Sequence, residues 1–322
     1  MAVTVVSGMN ILKNYLHIDY LTQGYSALIG LLVLFFHGDR VPYWYLVLGC
    51  HVIVLVAIHG LIHWHAKNPD SRAVRFLRFF YPLILYTGFY RETGILNQLF
   101  IDGCLDPVFI QLEETIFGFQ PSLQFSQLLS YRWFAEVMYG AYFSYYLMIT
   151  GVGVALYLRQ GNHFSHYLCV VSFVFYVCYF IYICLPVIGP RLFYQAFAGY
   201  SLPAAFIPAQ VPPVPESIQK AVFYRLMYVI YNLFEAPGAA FPSSHVAVAL
   251  CTLYFSFRYL RRIRWVHAAC VLLLCLSTVY GRYHYALDVI AGGMTAALLI
   301  PLGNRIYAKL GGQSNPSERS TG

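Results

Sequence analysis

The chain has 322 residues, 59% of them hydrophobic and 10% charged, with a formal net charge of +7. Soluble domains carry about 25% charged residues, so a water-soluble globular fold is excluded. Apolar runs long enough to cross a bilayer recur along the whole length, and the positive charge sits in the connections between them, which reads as membrane topology and not as a nucleic-acid surface.

The first 20 residues contain Lys13, His17 and Asp19 and lack the basic start, short apolar stretch and small-residue site of a removable signal peptide. The first span is therefore expected to be retained. A helix needs about 20 residues to cross hydrocarbon, and on that measure the apolar runs predict eight spans, at 20–36, 43–62, 73–90, 133–157, 167–187, 243–259, 265–280 and 284–302. The third is interrupted by Arg75, Arg78 and Pro82 and also fits a tilted or re-entrant helix. At the end of the second, His59, His63 and His65 have a spacing that suits metal ligation on a helix. Membrane metal enzymes usually need several such clusters, so an interfacial role is the preferred reading over a metal-dependent oxidoreductase.

Between the third and fourth spans, residues 91–132 hold Asp102, Asp106, Glu113 and Glu114, while Leu105, Val108, Phe109, Leu112 and Ile116 recur at helical spacing. That pattern predicts an amphipathic helix on the membrane interface, either packed there or serving as a lid for lipid. Glu136, inside the fourth span, needs a partner; Arg191 and Arg282 are the candidates. Residues 202–215 contain five prolines and predict an extended loop beside the site. The tail after 310 has a disordered composition. Of the eight cysteines only Cys104 lies in a polar connection, and no Cys-x-x-Cys or Cys/His spacing suggests zinc.

Charge settles the expected orientation. The N-terminus, alternate connections and the C-terminus together hold 13 of the 20 basic residues and three of the 13 acidic ones, which predicts cytoplasmic termini. The cluster Arg258, Arg261, Arg262 and Arg264 is the strongest anchor. His245 opens the sixth span and His284 the eighth, 39 residues on, about one passage across and one back at 1.5 Å per residue. Both rings are then expected on the exoplasmic face, with Gly189-Pro190-Arg191 at the end of the fifth span.

His284 and Asp288 are four residues apart and share one helix face. A carboxylate there can accept Nδ1–H, fix the tautomer and leave Nε2 as nucleophile or base; a merely satisfied intramembrane contact fits the pair as well. Pro242-Ser243-Ser244-His245 reads as a helix start, whose N–H groups bind phosphate or simply carry an ordinary cap. Gly238, just upstream, lets backbone approach an anion. Arg191 is suited to clamping phosphate oxygens, or to snorkelling at the interface.

The order Gly-Pro-Arg, Pro-Ser-x-His, His-x-x-x-Asp resembles the type 2 phosphatidic acid phosphatase superfamily, and within it the inositol phosphorylceramide synthase-like subgroup, with sphingomyelin synthase more distant. The resemblance covers residues 90–302. It implies an all-α polytopic bundle with a core shared with vanadium haloperoxidases, and metal-free lipid phosphoryl transfer without a cofactor. In that chemistry His284 attacks phosphorus, Asp288 orients it, His245 protonates the leaving oxygen, and Arg191 with the Ser243 and Ser244 backbone holds the phosphoryl oxygens. Two cations of the broad pattern are missing, since Cys184 and Thr278 stand where lysine and arginine are expected. Arg282 supplies one charge or is an interfacial loop residue. These departures shift weight toward the synthase-like subgroup.

The expected organisation is membrane spans over 1–90, a catalytic membrane domain over 91–302 and a cytoplasmic tail over 303–322. The expected protein is a multi-pass enzyme of the plasma, bacterial inner or endomembrane, acting on a lipid phosphate or phosphodiester with water or a lipid hydroxyl as acceptor, and without nucleic acid. The rivals are a lipid phosphate phosphatase for phosphatidic acid or polyprenyl pyrophosphate, and a non-catalytic lipid carrier or scramblase.

Overall fold

The computed structural model describes residues 14–159, 161–196 and 211–311. Most of the proline-rich stretch, 202–210, and most of the predicted tail, 312–322, lie outside the described residues. The fold is helical: α1 (His17–Phe36), α2 (Trp44–Lys67), α3 (Arg72–Leu96), α4 (Asp106–Phe117), α5 (Pro121–Leu128), α6 (Arg132–Arg159), α7 (Gly161–Cys184), α8 (Pro190–Ala196), α9 (Glu216–Gln219), α10 (Val222–Phe234), α11 (Ser244–Tyr259), α12 (Arg264–Tyr280) and α13 (Ala286–Gly311). Among the described residues the only β pairing is an isolated parallel bridge between Val187 and Ala239.

Each predicted span coincides with a helix, but five helices are long and apolar enough to cross a membrane: α1, α2, α6, α7 and α13. The others differ for identifiable reasons. α3 carries Arg72, Arg75, Arg78, Arg91 and Glu92 within its length, whereas α11 and α12 have only 16 and 17 residues. α13 continues to Gly311, so helix replaces the expected tail over 303–311.

α7 occupies the centre and touches α1, α3, α6, α11 and α13. It is the most buried of the five spanning helices, which explains why its sequence is apolar without a polar stripe. Around it, α1, α2, α6 and α13 expose large apolar side chains, among them Leu31, Ile53, Leu147 and Leu298. The first three are fastened by polar contacts. Arg78, fully buried, donates to both carboxylate oxygens of Asp19, and Tyr81 adds a bond of 2.8 Å to the same carboxylate. Removing one partner of such a buried pair costs about 3–5 kcal/mol, so the arginine that interrupts the third span is accommodated by a charge from the first. Ser26 and Glu92 likewise hold the two ring nitrogens of His51, at 2.9 and 2.6 Å.

Helix starts near the Arg191 end are built from carboxylates and hydroxyls of other segments. Glu136 accepts from the N–H groups of Val222 and Phe223, at 2.7 and 3.1 Å, and so caps α10. Its expected partners, Arg191 and Arg282, are not what satisfies it. The orphan N–H groups of a helix start need acceptors, and a negative charge there also gains from the helix dipole.

Candidate active site

Ser243 caps α11, its Oγ accepting from the Val246 N–H at 3.3 Å. Gly292 of α13 packs directly on this cap: a Cβ there would lie 2.6 Å from the Ser243 carbonyl oxygen. Only a hydrogen fits, and the close approach brings the starts of α11 and α13 side by side. His245 Nδ1 and His284 Nε2 end 3.3 Å apart.

The His284 ring is fixed from its other nitrogen. Nδ1–H donates to the Ala240 carbonyl at 3.0 Å, and Asp288 Oδ2 stands 3.5 Å from the same nitrogen. The expectation that Asp288 accepts this proton is corrected, because the backbone carbonyl takes the hydrogen bond and the carboxyl group, already accepting from Tyr285 N–H at 2.8 Å, stands beside the ring. The outcome for Nε2 is unchanged: with Nδ1 protonated, its lone pair points at His245. Ala240 is itself anchored, its N–H donating to Val187 O at 2.9 Å.

The phosphate cradle expected from Ser243 and Ser244 is different in the structure. Ser243 N–H donates to the Asp288 carbonyl at 3.0 Å and Ser244 N–H to the Tyr182 hydroxyl at 3.0 Å, so both backbone donors are engaged within the protein. Gly238 is also reassigned. Its φ is +89°, and a Cβ there would meet Asn97 Nδ2 at 2.1 Å, so its open side is filled by Asn97, which donates to the Pro237 carbonyl at 2.6 Å. This glycine serves a turn and a packing contact, and leaves no face for an anion.

Arg191 bridges Glu235 Oε2 at 3.2 Å and Asn232 Oδ1 at 3.3 Å, with its guanidinium 4.9 Å from the centre of the Tyr231 ring. Burial raises the Glu235 carboxyl, and Arg191 opposes that shift. Arg282 has a left-handed φ of 61° and turns toward Ser126 of α5 and the Pro212 carbonyl, the latter at 2.7 Å. Sequence order placed it two residues from the nucleophile candidate; the backbone turn sends it to a neighbouring layer.

A cavity of about 430 Å³ reaches His245 from the side, enclosed by α3, α6, α7 and α10 and ending on Ser244 and His245. Its walls are aromatic and aliphatic, including Tyr86, Phe143, Ile149 and Phe175, and Glu235 is the carboxylate at its rim. Sequence reasoning missed Glu235, Tyr182 and Ala240, because none stands in a motif and the contacts are made across the fold. α4 was expected as an interfacial helix; it also sends Glu113 to the backbone N–H groups that follow His284 and Asp106 to the Tyr285 hydroxyl.

The histidines of α2 lie at the far end of the bundle. The His59 and His63 rings are tilted against each other with centres 4.4 Å apart, His59 also meets the Tyr15 hydroxyl at 3.1 Å, and His65 follows two residues on. Among the described residues no group of three or more His, Cys, Asp or Glu side chains is arranged to hold a metal ion.

The profile of the PAP2 superfamily matches residues 109–302. No curated protein and no solved structure matches the chain. The match covers more than half of the sequence and includes α11, the first part of α13 and both histidines, and the chain belongs to the PAP2 superfamily.

Proposed function

We propose that this PAP2 superfamily protein is an integral-membrane lipid phosphotransferase of the inositol phosphorylceramide synthase-like kind, working in sphingolipid metabolism through a phosphohistidine. The observation that carries the reading is the contact of His284 Nε2 with His245 Nδ1 at the end of an apolar cavity. Nε2, kept unprotonated by the Nδ1–H bond to Ala240, attacks phosphorus. The P–O bond to the leaving group breaks, and His245, entering the step as an imidazolium beside the anionic substrate, donates a proton to the departing oxygen and is left as neutral imidazole. The positive charge that develops on the His284 ring is met by Asp288 at 3.5 Å and by the Ala240 carbonyl. In the second half, an acceptor hydroxyl gives its proton to His245, attacks phosphorus, and releases Nε2 as the P–N bond breaks. Such transfer depends on positioning and on stabilising spread negative charge, with a general acid contributing about 10²–10⁴-fold.

The resting rings are too close for a phosphoryl group to lie between them, so His245 swings toward the cavity it lines when substrate enters. Arg191 is the phosphate cation, and the phosphate competes with Glu235 for it. The cavity is within the size of ligand pockets, about 300–1,000 Å³, and its apolar walls favour a lipid hydroxyl over water as acceptor. The absence of the two further cations, at Cys184 and Thr278, supports the same subgroup. Positive charge at the opposite end of the bundle, on Arg258, Arg261, Arg262 and Arg264, supports cytoplasmic termini and an exoplasmic site.

The test uses the full chain in detergent with EDTA, a labelled lipid phosphate or phosphodiester, and product analysis with and without a lipid alcohol. Transfer only when the alcohol is present is the expected result. Release to water would assign a phosphatase, and full activity in both His245→Ala and His284→Ala would refute the mechanism.

A further inference from the structure

α4 is inside out for a helix at a membrane edge. Val108, Leu112 and Ile116 are 52%, 45% and 59% exposed, whereas Asp106 and Glu113 are fully buried. Seven residues is two turns, so the two carboxylates share a face, with Ile110 buried between them. Burying a carboxylate costs several kcal/mol unless hydrogen bonds compensate. Apolar side chains would fill the same space without that cost, so the reason for two carboxylates lies in what they hold.

Asp106 accepts from three donors: Ile188 N–H at 2.7 Å, Gly189 N–H at 2.8 Å and the Tyr285 hydroxyl at 3.0 Å. Glu113 Oε1 accepts from the N–H groups of Ala286 and Leu287, the latter at 3.3 Å. The recipients are the turn that leads into Arg191 and the first turn of α13, between His284 and Asp288. Glu113 Oε2 is buried without a hydrogen-bond partner, and burial with the charge of Asp288 raises its carboxyl to about 7 against the opposing backbone bonds. The contacts close into a ring. Asp106 holds Gly189 and Tyr285; Val187, two residues before Gly189, holds Ala240; and Ala240 holds His284, next to Tyr285. The His284 imidazole and the turn that leads into Arg191 thus share one hydrogen-bonded network.

Resting on the functional reading above for the role of His284, we infer that Asp106 and Glu113 are positioning residues: Asp106 locks the Arg191 turn to Tyr285, and Glu113 locks the start of α13 behind the nucleophile. An ordinary helix cap would need one acceptor at one helix start. This face of α4 instead grips both motif segments, and the family match includes Glu113 while Asp106 lies just outside it.

The experiment pairs steady-state kinetics of the full chain with hydrogen exchange read by mass spectrometry. A misplacement of about 1 Å costs on the order of 10²-fold, so Glu113→Ala is expected to lower kcat about 10- to 100-fold with KM nearly unchanged. Glu113→Gln keeps an acceptor oxygen and is expected to recover to within about threefold. Asp106→Ala is expected to lower kcat and raise KM together, because its turn carries Arg191. Asp106→Asn is not expected to rescue it, since one of its two polar atoms would face an N–H donor. Exchange is expected to quicken at Ala286 and Leu287 in the Glu113 variant and at Ile188 and Gly189 in the Asp106 variant. Wild-type kcat and KM in both alanine variants, or quickened exchange spread evenly over the chain with Glu113→Gln no better than Glu113→Ala, would overturn the inference. Should His284→Ala retain full turnover, the functional reading fails, and site-specific exchange still decides whether the two carboxylates hold these turns.

Discussion

On the His245 side of the candidate site, four helices enclose an apolar cavity of about 430 Å³; on the His284 side, α4 presses two carboxylates onto backbone N–H groups. The first flank is made of side chains that repack around a flexible chain, and the second of directional bonds that tolerate little displacement. A phosphoryl-transfer site benefits from this asymmetry. Under the proposed reaction, a lipid that varies in shape is admitted on one flank, while the proposed nucleophile is held in one place on the other.

Substitutions on the two flanks should therefore differ in kind. The largest effect is expected at the seam: His284→Ala should reduce lipid phosphate turnover by at least about 10³-fold, and His245→Ala by about 10²–10³-fold, measured by release or transfer of label. Comparable losses from conservative changes deep in the cavity would erase the distinction between flanks.

Next is the acid–base signature of the polar flank. The Glu113 carboxyl is raised from its ordinary 4.5 to about 7, with Asp288 and Tyr194 among the groups that face it. Its contribution to stability is thus fully present below pH 4.5 and is lost as pH rises toward about 7. At 1.36 kcal/mol per pH unit the loss is at most about 3 kcal/mol. Thermal unfolding in detergent should show Glu113→Gln gaining on the wild type between those pH values; a constant difference across the range would remove the buried ionisable group from the account.

A smaller effect is expected from narrowing the cavity. Ile149→Trp should lower transfer to a long-chain alcohol by about tenfold while a short-chain, water-soluble substrate is turned over as before, since only the former needs the apolar volume. Equal loss with both substrates would mean that the substitution disturbs the histidines. The smallest effect concerns the rim. Glu235→Gln removes the carboxylate that competes for Arg191 and should tighten binding of inorganic phosphate by about two- to fivefold, measured as competitive inhibition. Weakened binding would indicate that Glu235 orders Arg191 for phosphate.

Much of the bundle was readable because lipid imposes it. Long apolar runs have to be helices, since no other open structure satisfies its backbone in hydrocarbon, and the helices α1, α2, α6, α7 and α13 each overlap a predicted run, with ends that differ by up to nine residues. The shared location of His245 and His284 was readable too, from motif spacing and the length of a crossing. α4 shows the limit. Its apolar spacing was visible, but a helix between protein and lipid can turn its apolar side to either, and only neighbouring donors explain why Asp106 and Glu113 face inward. Ser243 and Ser244 show a second limit, because a helix start with free N–H groups and one whose N–H groups are already bonded to Asp288 and Tyr182 have the same local sequence.

The sequence by itself determined the solvent, the helices, the family and the two imidazoles, because these follow from hydropathy and short-range spacing along one chain. Tertiary structure alone decided which group accepts from His284 Nδ1, that Arg191 rests on Glu235, that Gly238 packs on Asn97, and that α4 fastens the site. Those outcomes depend on hydrogen bonds between residues as many as 179 positions apart, and such pairings are set by how helices pack, for which local sequence carries no signal.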